Sequence, residues 1–164
     1  MAADRTRAAH AYHDLAPAVL GYLRALHVRE PEDVLGEVFV QVVRDIGRFR
    51  GDDAALRRWV FSIAHNRVMD THRRFRRRPP PMLQPVLDTG AAPPPDDPFA
   101  PELVAALATL SLDQREVVVL RFVADLSLEA VARITGRTVG AVKALQHRAL
   151  ESLERAISAY SPER

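Results

Sequence analysis

The chain has 164 residues, a formal net charge of +2 and no cysteine, and 48% of it is hydrophobic. That is enough apolar material for one ordinary domain or two small helical ones, while the missing thiols exclude a disulfide scaffold, a thiolate metal site and a cysteine nucleophile. No signal-peptide pattern marks Met1 to Ala11, and no apolar run approaches the roughly 20 residues that span a bilayer, so a cytoplasmic protein is predicted.

In chain order, Leu15, Val19, Leu20, Leu23 and Leu26 recur at helical spacing, flanked by Tyr12 and Tyr22. Pro31, Glu32 and Asp33 form a helix start, with proline in the first turn and carboxylates at the positive end of the dipole. That helix is predicted to run to about Ile46 on a stripe of Leu35, Val38, Phe39, Val42, Val43 and Ile46, interrupted by Gly36. After a polar break at Arg50 to Asp53, a third helix carries Leu56, Trp59, Val60, Ile63, Ala64 and Val68. It ends in a basic run (Arg67, Arg73, Arg74, Arg76, Arg77, Arg78) opposed only by Asp70.

Nine of the twelve prolines fall between Pro79 and Pro101, with no apolar periodicity. Residues 79–101 therefore read as a semi-rigid, proline-rich linker between two independently packed halves. Beyond it, Leu103, Leu107 and Leu110 begin a helix, and Ser111 with Gln114 is a capping-box pair for the next. Ser127 caps a short helix with Leu128, Val131, Ala132 and Ile134; Gly136 closes it, and Thr138 caps a longer one through Val142, Leu145, Leu150 and Leu153. No strand pattern competes, so the fold class is all-α: two small helical domains.

The pair of helices between Ser127 and Leu153 meets the requirements of a helix-turn-helix. Ala132 is the small residue at the helix contact, Gly136 tolerates positive φ in the turn, and Val131, Val142 and Leu145 supply packing. The second helix is then free to enter a major groove. Thr138, Lys143, Gln146, His147 and Arg148 include its outward-facing residues: lysine and arginine suit phosphate, glutamine and histidine a base edge. The segment Phe49 to Arg78 mixes aromatic residues with His65, Asn66, His72 and arginines, a composition suited to opened DNA, where arginines follow phosphates and apolar surfaces house unpaired bases. The arginines carry that reading, since Trp59 and Ile63 sit on the apolar stripe.

Two sets of residues resemble a known family. Pro31-Glu32-Asp33-Val34 to Phe39, Arg48-Phe49, Trp59 to Ala64 and Asn66 to Asp70 resemble region two of the extracytoplasmic-function (ECF) sigma factors of bacterial RNA polymerase. Leu110, Asp113 to Val117, Leu120-Arg121-Phe122, Leu126-Ser127, Val131-Ala132, Gly136 and Gly140 to Lys143 resemble region four. The resemblance implies a region 2 domain over 8–78 and a region 4 domain over 102–157. It implies that the helix from Asp33 to Ile46 docks on the clamp of the largest catalytic subunit of core RNA polymerase through Asp33, Glu37, Gln41 and Arg44. The flap region is the other expected polymerase contact. The loop from Phe49 and Arg50, with His65, Asn66, Asp70, Arg73 and Arg74, would recognise and help open the minus-ten promoter element, and the helix from Thr138 would read the minus-thirty-five element. An anti-sigma factor is a possible further partner, and a nucleoid-associated location follows. The family pattern departs at Gly36, at Thr135 and Arg137, and at Ala144-Leu145-Gln146.

The alternative function is a repressor or activator that uses the helix-turn-helix without polymerase, which leaves the first half unexplained. An enzyme is not expected: the six histidines show no HExxH spacing or Ser-His-Asp order, and there is no glycine-rich phosphate loop. Neither metal nor cofactor is expected.

Overall fold

Alanine is the strongest helix former, and Ala2, Ala3, Ala8, Ala9 and Ala11 crowd the start of the chain. In the computed structural model, which describes residues 1–77 and 99–160, helix α1 accordingly spans Ala2–Ala25. It begins a dozen residues before the apolar periodicity and continues through Pro17, whose ring is exposed and whose missing N–H costs one helical hydrogen bond. Helix α2, Pro31–Asp45, starts with proline in its first turn, and its Glu32 accepts a 2.8 Å ion-paired hydrogen bond from Arg24 of α1. Its buried stripe is Leu35, Val38, Phe39 and Val42. Val43 instead points outward at 58% exposure beside Val40 at 59%, so the apolar face is narrower than the sequence suggests. Helix α3, Asp53–Arg77, opens on a cap in which the Asp52 carboxylate accepts from the Ala55 amide at 2.8 Å.

In the second half come α4, Pro101–Ala108, α5, Leu112–Phe122, α6, Leu128–Thr135, and α7, Val139–Tyr160. The starts follow the capping logic. Ser111 and Gln114 exchange both bonds of a capping box, Ser127 accepts from the Ala130 amide, and Thr138 accepts from the Ala141 amide at 3.1 Å. Gly136 terminates α6 in the left-handed region at φ 68°, where a β-carbon would cost roughly 1–2 kcal/mol. Arg78 and residues 79–98 of the expected linker lie outside the described residues. Among the described residues every element is a helix.

The first half packs α1, α2 and α3 around Val19, Tyr22, Leu23, Val38, Val42, Val60, Phe61 and Val68, all fully buried; each such apolar side chain contributes roughly 1.5–3 kcal/mol. A second cluster joins Ala106, Leu107, Leu110, Val118, Ala149 and Leu153 from α4, α5 and α7. The halves are not packed independently, however. Val117, Val119, Leu120, Val131 and Val142 belong to the same apolar cluster as the first-half core. The reason lies in α5, where Arg115 to Leu120 are all buried: a helix covered on so many sides serves both neighbours, with α1 packed on α5 and α3 on α6.

Candidate nucleic-acid interface

The turn between α6 and α7 has the geometry that a helix-turn-helix needs. Ala132 and Val131 are buried where the helices meet, Val142 is fully buried behind them, and the first turns of α7 face outward, with Thr138, Lys143, His147 and Arg148 exposed. Of these, Thr138 spends its hydroxyl on the α7 cap, and His147 lies 3.4 Å from Glu151 one turn on. Gln146 is half-buried; its Oε1 accepts from Arg121 Nε at 3.0 Å, and Arg121 also donates to the Leu126 carbonyl.

In the first half, the loop before α3 is built around Gly51. A β-carbon there would lie 2.8 Å from Ala55 and 3.0 Å from the Phe49 ring, at φ 150°. Phe49 stacks on Trp59 with centroids 5.0 Å apart while the Arg7 guanidinium covers Phe49 at 5.0 Å. Arg50 turns back to donate to the carbonyls of Gly47 and Phe49. Asn66, Asp70, Arg73 and Arg74 are exposed along α3, with Asp70 and Arg73 3.8 Å apart. His65 is placed differently: it is only 9% exposed.

On α2, Asp33, Glu37, Gln41 and Arg44 recur at helical spacing on one face together with Val40. Arg67 of α3 reaches over this face, 3.2 Å from Gln41 Oε1 and 3.8 Å from Glu37. Periodicity leaves Val40 off the apolar stripe but places Val43 on it; the exposure of both shows that this side of α2 is apolar and uncovered.

Two further residues went unrecognised. Arg115 is 8% exposed and donates to the carbonyls of Leu107 and Ala108 in the last turn of α4, of Leu110 beyond it, and of Ala25 at the end of α1. Burial lowers its pKa from the ordinary guanidinium range. Glu116, 5% exposed, accepts from the Tyr22 hydroxyl at 2.8 Å and contacts His65 Nδ1 at 2.7 Å. Its own burial works against the charge, but the hydrogen bond and charge of His65, the Tyr22 hydroxyl and the Arg137 charge outweigh it, holding the carboxyl below its ordinary range. Tyr22 is pushed well up by burial and by the neighbouring carboxylate. The signal in the sequence was an Arg-Glu pair immediately preceding Val117 to Leu120, charges set into an otherwise buried helix. Among the described residues no cluster of three histidine, aspartate or glutamate side chains could hold a metal ion, and no helix is long and apolar enough to cross a membrane.

Comparison with known proteins agrees with this geometry. A family model for Sigma-70 region 2 matches residues 11–78, and one for Sigma-70, region 4 matches residues 101–153. The ECF RNA polymerase sigma factor ShbA of Streptomyces griseus is 33% identical, covering 88% of this chain and 86% of its own. SigD of Mycobacterium tuberculosis is 30% identical, covering 94% and 78%. The same fold occurs in the sigma factor RpoE of Bartonella quintana, solved with the anti-sigma factor NepR, at a TM-score of 0.70 and 21% identity over 93% of this chain and 97% of that one. It also occurs in CnrH, solved with the cytosolic domain of CnrY, at 0.66 and 21% over 96% and 91%. With both sigma regions present in order on an all-helical scaffold, the chain belongs to the ECF sigma factors of RNA polymerase.

Proposed function

We propose that this sigma factor divides its work among three surfaces. The exposed face of α2, with Asp33, Glu37, Gln41 and Arg44 around Val40, docks on the clamp of the largest catalytic subunit of core RNA polymerase. Phe49, Arg50, Asn66, Asp70, Arg73 and Arg74, with His65 once it is uncovered, engage and help open the minus-ten element. Thr138, Lys143, Gln146, His147 and Arg148 of the second helix read the minus-thirty-five element. The observation that carries this reading is the pairing of an uncovered, mixed apolar and charged face on α2 with an outward-facing row of polar residues at the start of α7. A mixed apolar and charged surface with exposed valines suits a protein partner; lysine, arginine and glutamine on a helix suit a groove. The polymerase alone makes phosphodiester bonds, and the factor works in the cytoplasm at the nucleoid. An anti-sigma protein is the natural inhibitor, a reading supported by the RpoE neighbour, which was solved with the anti-sigma factor NepR.

Footprinting of the reconstituted holoenzyme on a promoter fragment tests the assignment. Lys143→Ala with Arg148→Ala should weaken upstream protection and shallow its salt dependence by about two phosphate contacts, leaving core binding intact. Arg73→Ala with Arg74→Ala should instead reduce opening near the start site. Equal effects of both pairs at both elements would contradict the division of labour.

A further inference from the structure

The seam between the two halves engages α1 near its end, at Gly21, Tyr22 and Ala25. The first turns of α1 meet a different neighbour. Ala8, Ala11 and Leu15 are buried, and Asp4 and Arg7 continue the same helical face one turn earlier, each half-buried although Ala2, Ala3, Arg5 and Thr6 are exposed. Both residues stand against the loop that joins α2 to α3. A β-carbon on Gly47 would lie 3.6 Å from the Asp4 carboxylate. Arg7 donates through Nη2 to the Gly51 carbonyl at 2.9 Å, and its guanidinium lies over the Phe49 ring, 5.0 Å from the centroid.

That loop has little else to fix it. Arg50 bonds the carbonyls of Gly47 and Phe49, but these contacts are within the loop and move with it. The stack of Phe49 on Trp59 ties the ring to α3 and leaves the backbone at Gly51 free to turn. Glycine is the residue that changes conformation most readily, and Gly51 at φ 150° runs so close to Phe49 that a β-carbon would lie 3.0 Å from the ring. Arg7 restrains both parts at once, the backbone through a hydrogen bond and the ring through its charge. It also precedes residue 11, where the region 2 match begins, so this hold comes from the start of α1 and not from the matched region.

We propose that Arg7 is a positioning residue for the minus-ten element: from α1 it clasps Phe49 and Gly51 and keeps the loop in the conformation that engages opened DNA. The proposal rests on the minus-ten reading of that loop given above. Released from Arg7, the loop visits conformations that cannot engage, and apparent affinity for the element falls with the competent fraction. The docking face of α2 and the exposed start of α7 are made of other residues, so the loss is confined to the minus-ten element.

Trp59 is the only tryptophan, so its fluorescence reads the loop in the free, full-length chain. In Arg7→Met, acrylamide should quench Trp59 more strongly than in the parent while helicity by circular dichroism is unchanged. Arg7→Lys keeps a cation for the ring and a donor for the carbonyl and should restore part of the protection. In reconstituted holoenzyme, Arg7→Met should slow promoter opening about tenfold, the low end for losing a hydrogen bond from a charged group. It should also weaken the preference among bases substituted in the minus-ten element, with core affinity and upstream protection parental and Arg7→Lys intermediate. Gly51→Ala sets a β-carbon 2.8 Å from Ala55 with Arg7 in place, and should give the same minus-ten defect. Parental quenching and base preference in Arg7→Met would overturn the proposal. So would an equal loss on every minus-ten sequence with a salt slope lower by about one, the mark of a direct phosphate contact. Phe49→Ala separates the clasp from the reading beneath it: a minus-ten defect there without one in Arg7→Met defeats the positioning role alone, whereas parental opening in both defeats the minus-ten reading as well.

Discussion

Arg115→Met tests whether a single buried arginine ties α4 to α5. The substitution keeps the apolar stem and removes the guanidinium, leaving the carbonyls of Leu107 and Leu110, which lie at and beyond the α4 C-terminus, without their donors at 2.9 and 3.1 Å. Two weaker bonds, to Ala108 and Ala25, stretch to 3.4 and 3.3 Å. Hydrogen bonds from a charged group are worth roughly 1.5–3 kcal/mol each; taking the low end for the two short bonds and nothing for the long ones gives about 3 kcal/mol. Because the apolar cluster crosses the seam, the chain should unfold as one unit, and about 3 kcal/mol then lowers Tm by roughly 6–12 °C for a protein of this size. Urea unfolding followed by circular dichroism, with Arg115→Lys alongside, measures it. Lysine supplies one rotatable ammonium in place of the guanidinium fork and should recover less than half of the loss. A value for Arg115→Met within about 0.5 kcal/mol of the parent, the usual range of surface substitutions, would refute the role assigned to those carbonyl bonds.

Three other outcomes follow from the same structure. Gly136→Val puts a branched side chain at φ 68° and should cost at least roughly 1–2 kcal/mol in urea unfolding, with weaker upstream promoter protection as α7 shifts. Glu116 has a depressed carboxyl pKa in the folded protein, so its contribution is present above the unfolded value of about 4.3 and is lost as pH falls through the lower folded value. Stability to urea should accordingly fall on acidification below about pH 4, and Glu116→Gln should flatten that part of the response; an unchanged profile would count against the carboxylate. Val40→Asp on the exposed face of α2 should leave unfolding free energy within about 0.5 kcal/mol of the parent yet reduce core polymerase capture at least about tenfold, a loss of about 1.4 kcal/mol.

Local rules carried much of the structure into view. Ser111, Ser127, Thr138 and Gly136 each do at a helix end what their side chains or lack of one dictate, because capping is a contact between near neighbours in the chain. The start of α1 was less visible, since alanine contributes propensity without marking a face, and Pro17 is accommodated on its solvent side. Val43 was read into the buried stripe because periodicity locates an apolar residue on a helix but not the edge of what covers it. The seam was invisible for a more basic reason. Tyr22, His65 and Glu116 are separated by 43 and 51 residues, and no pattern within one element encodes a meeting of three. Among the candidate DNA contacts, Asn66, Asp70, Arg73 and Arg74 of α3 and Thr138, Lys143, His147 and Arg148 at α7 are exposed and Gln146 is half-buried, whereas the burial of His65 follows from that long-range meeting alone.

The most direct measurement of the account is run-off transcription with purified core polymerase, a promoter fragment drawn from a selected library, and this protein as the sole added factor. The account predicts a transcript of defined start that depends on the factor, disappears when either promoter element is scrambled, and is lost with Val40→Asp. Tight binding to the duplex by the factor alone, with no factor-dependent transcript in the presence of polymerase, would contradict it.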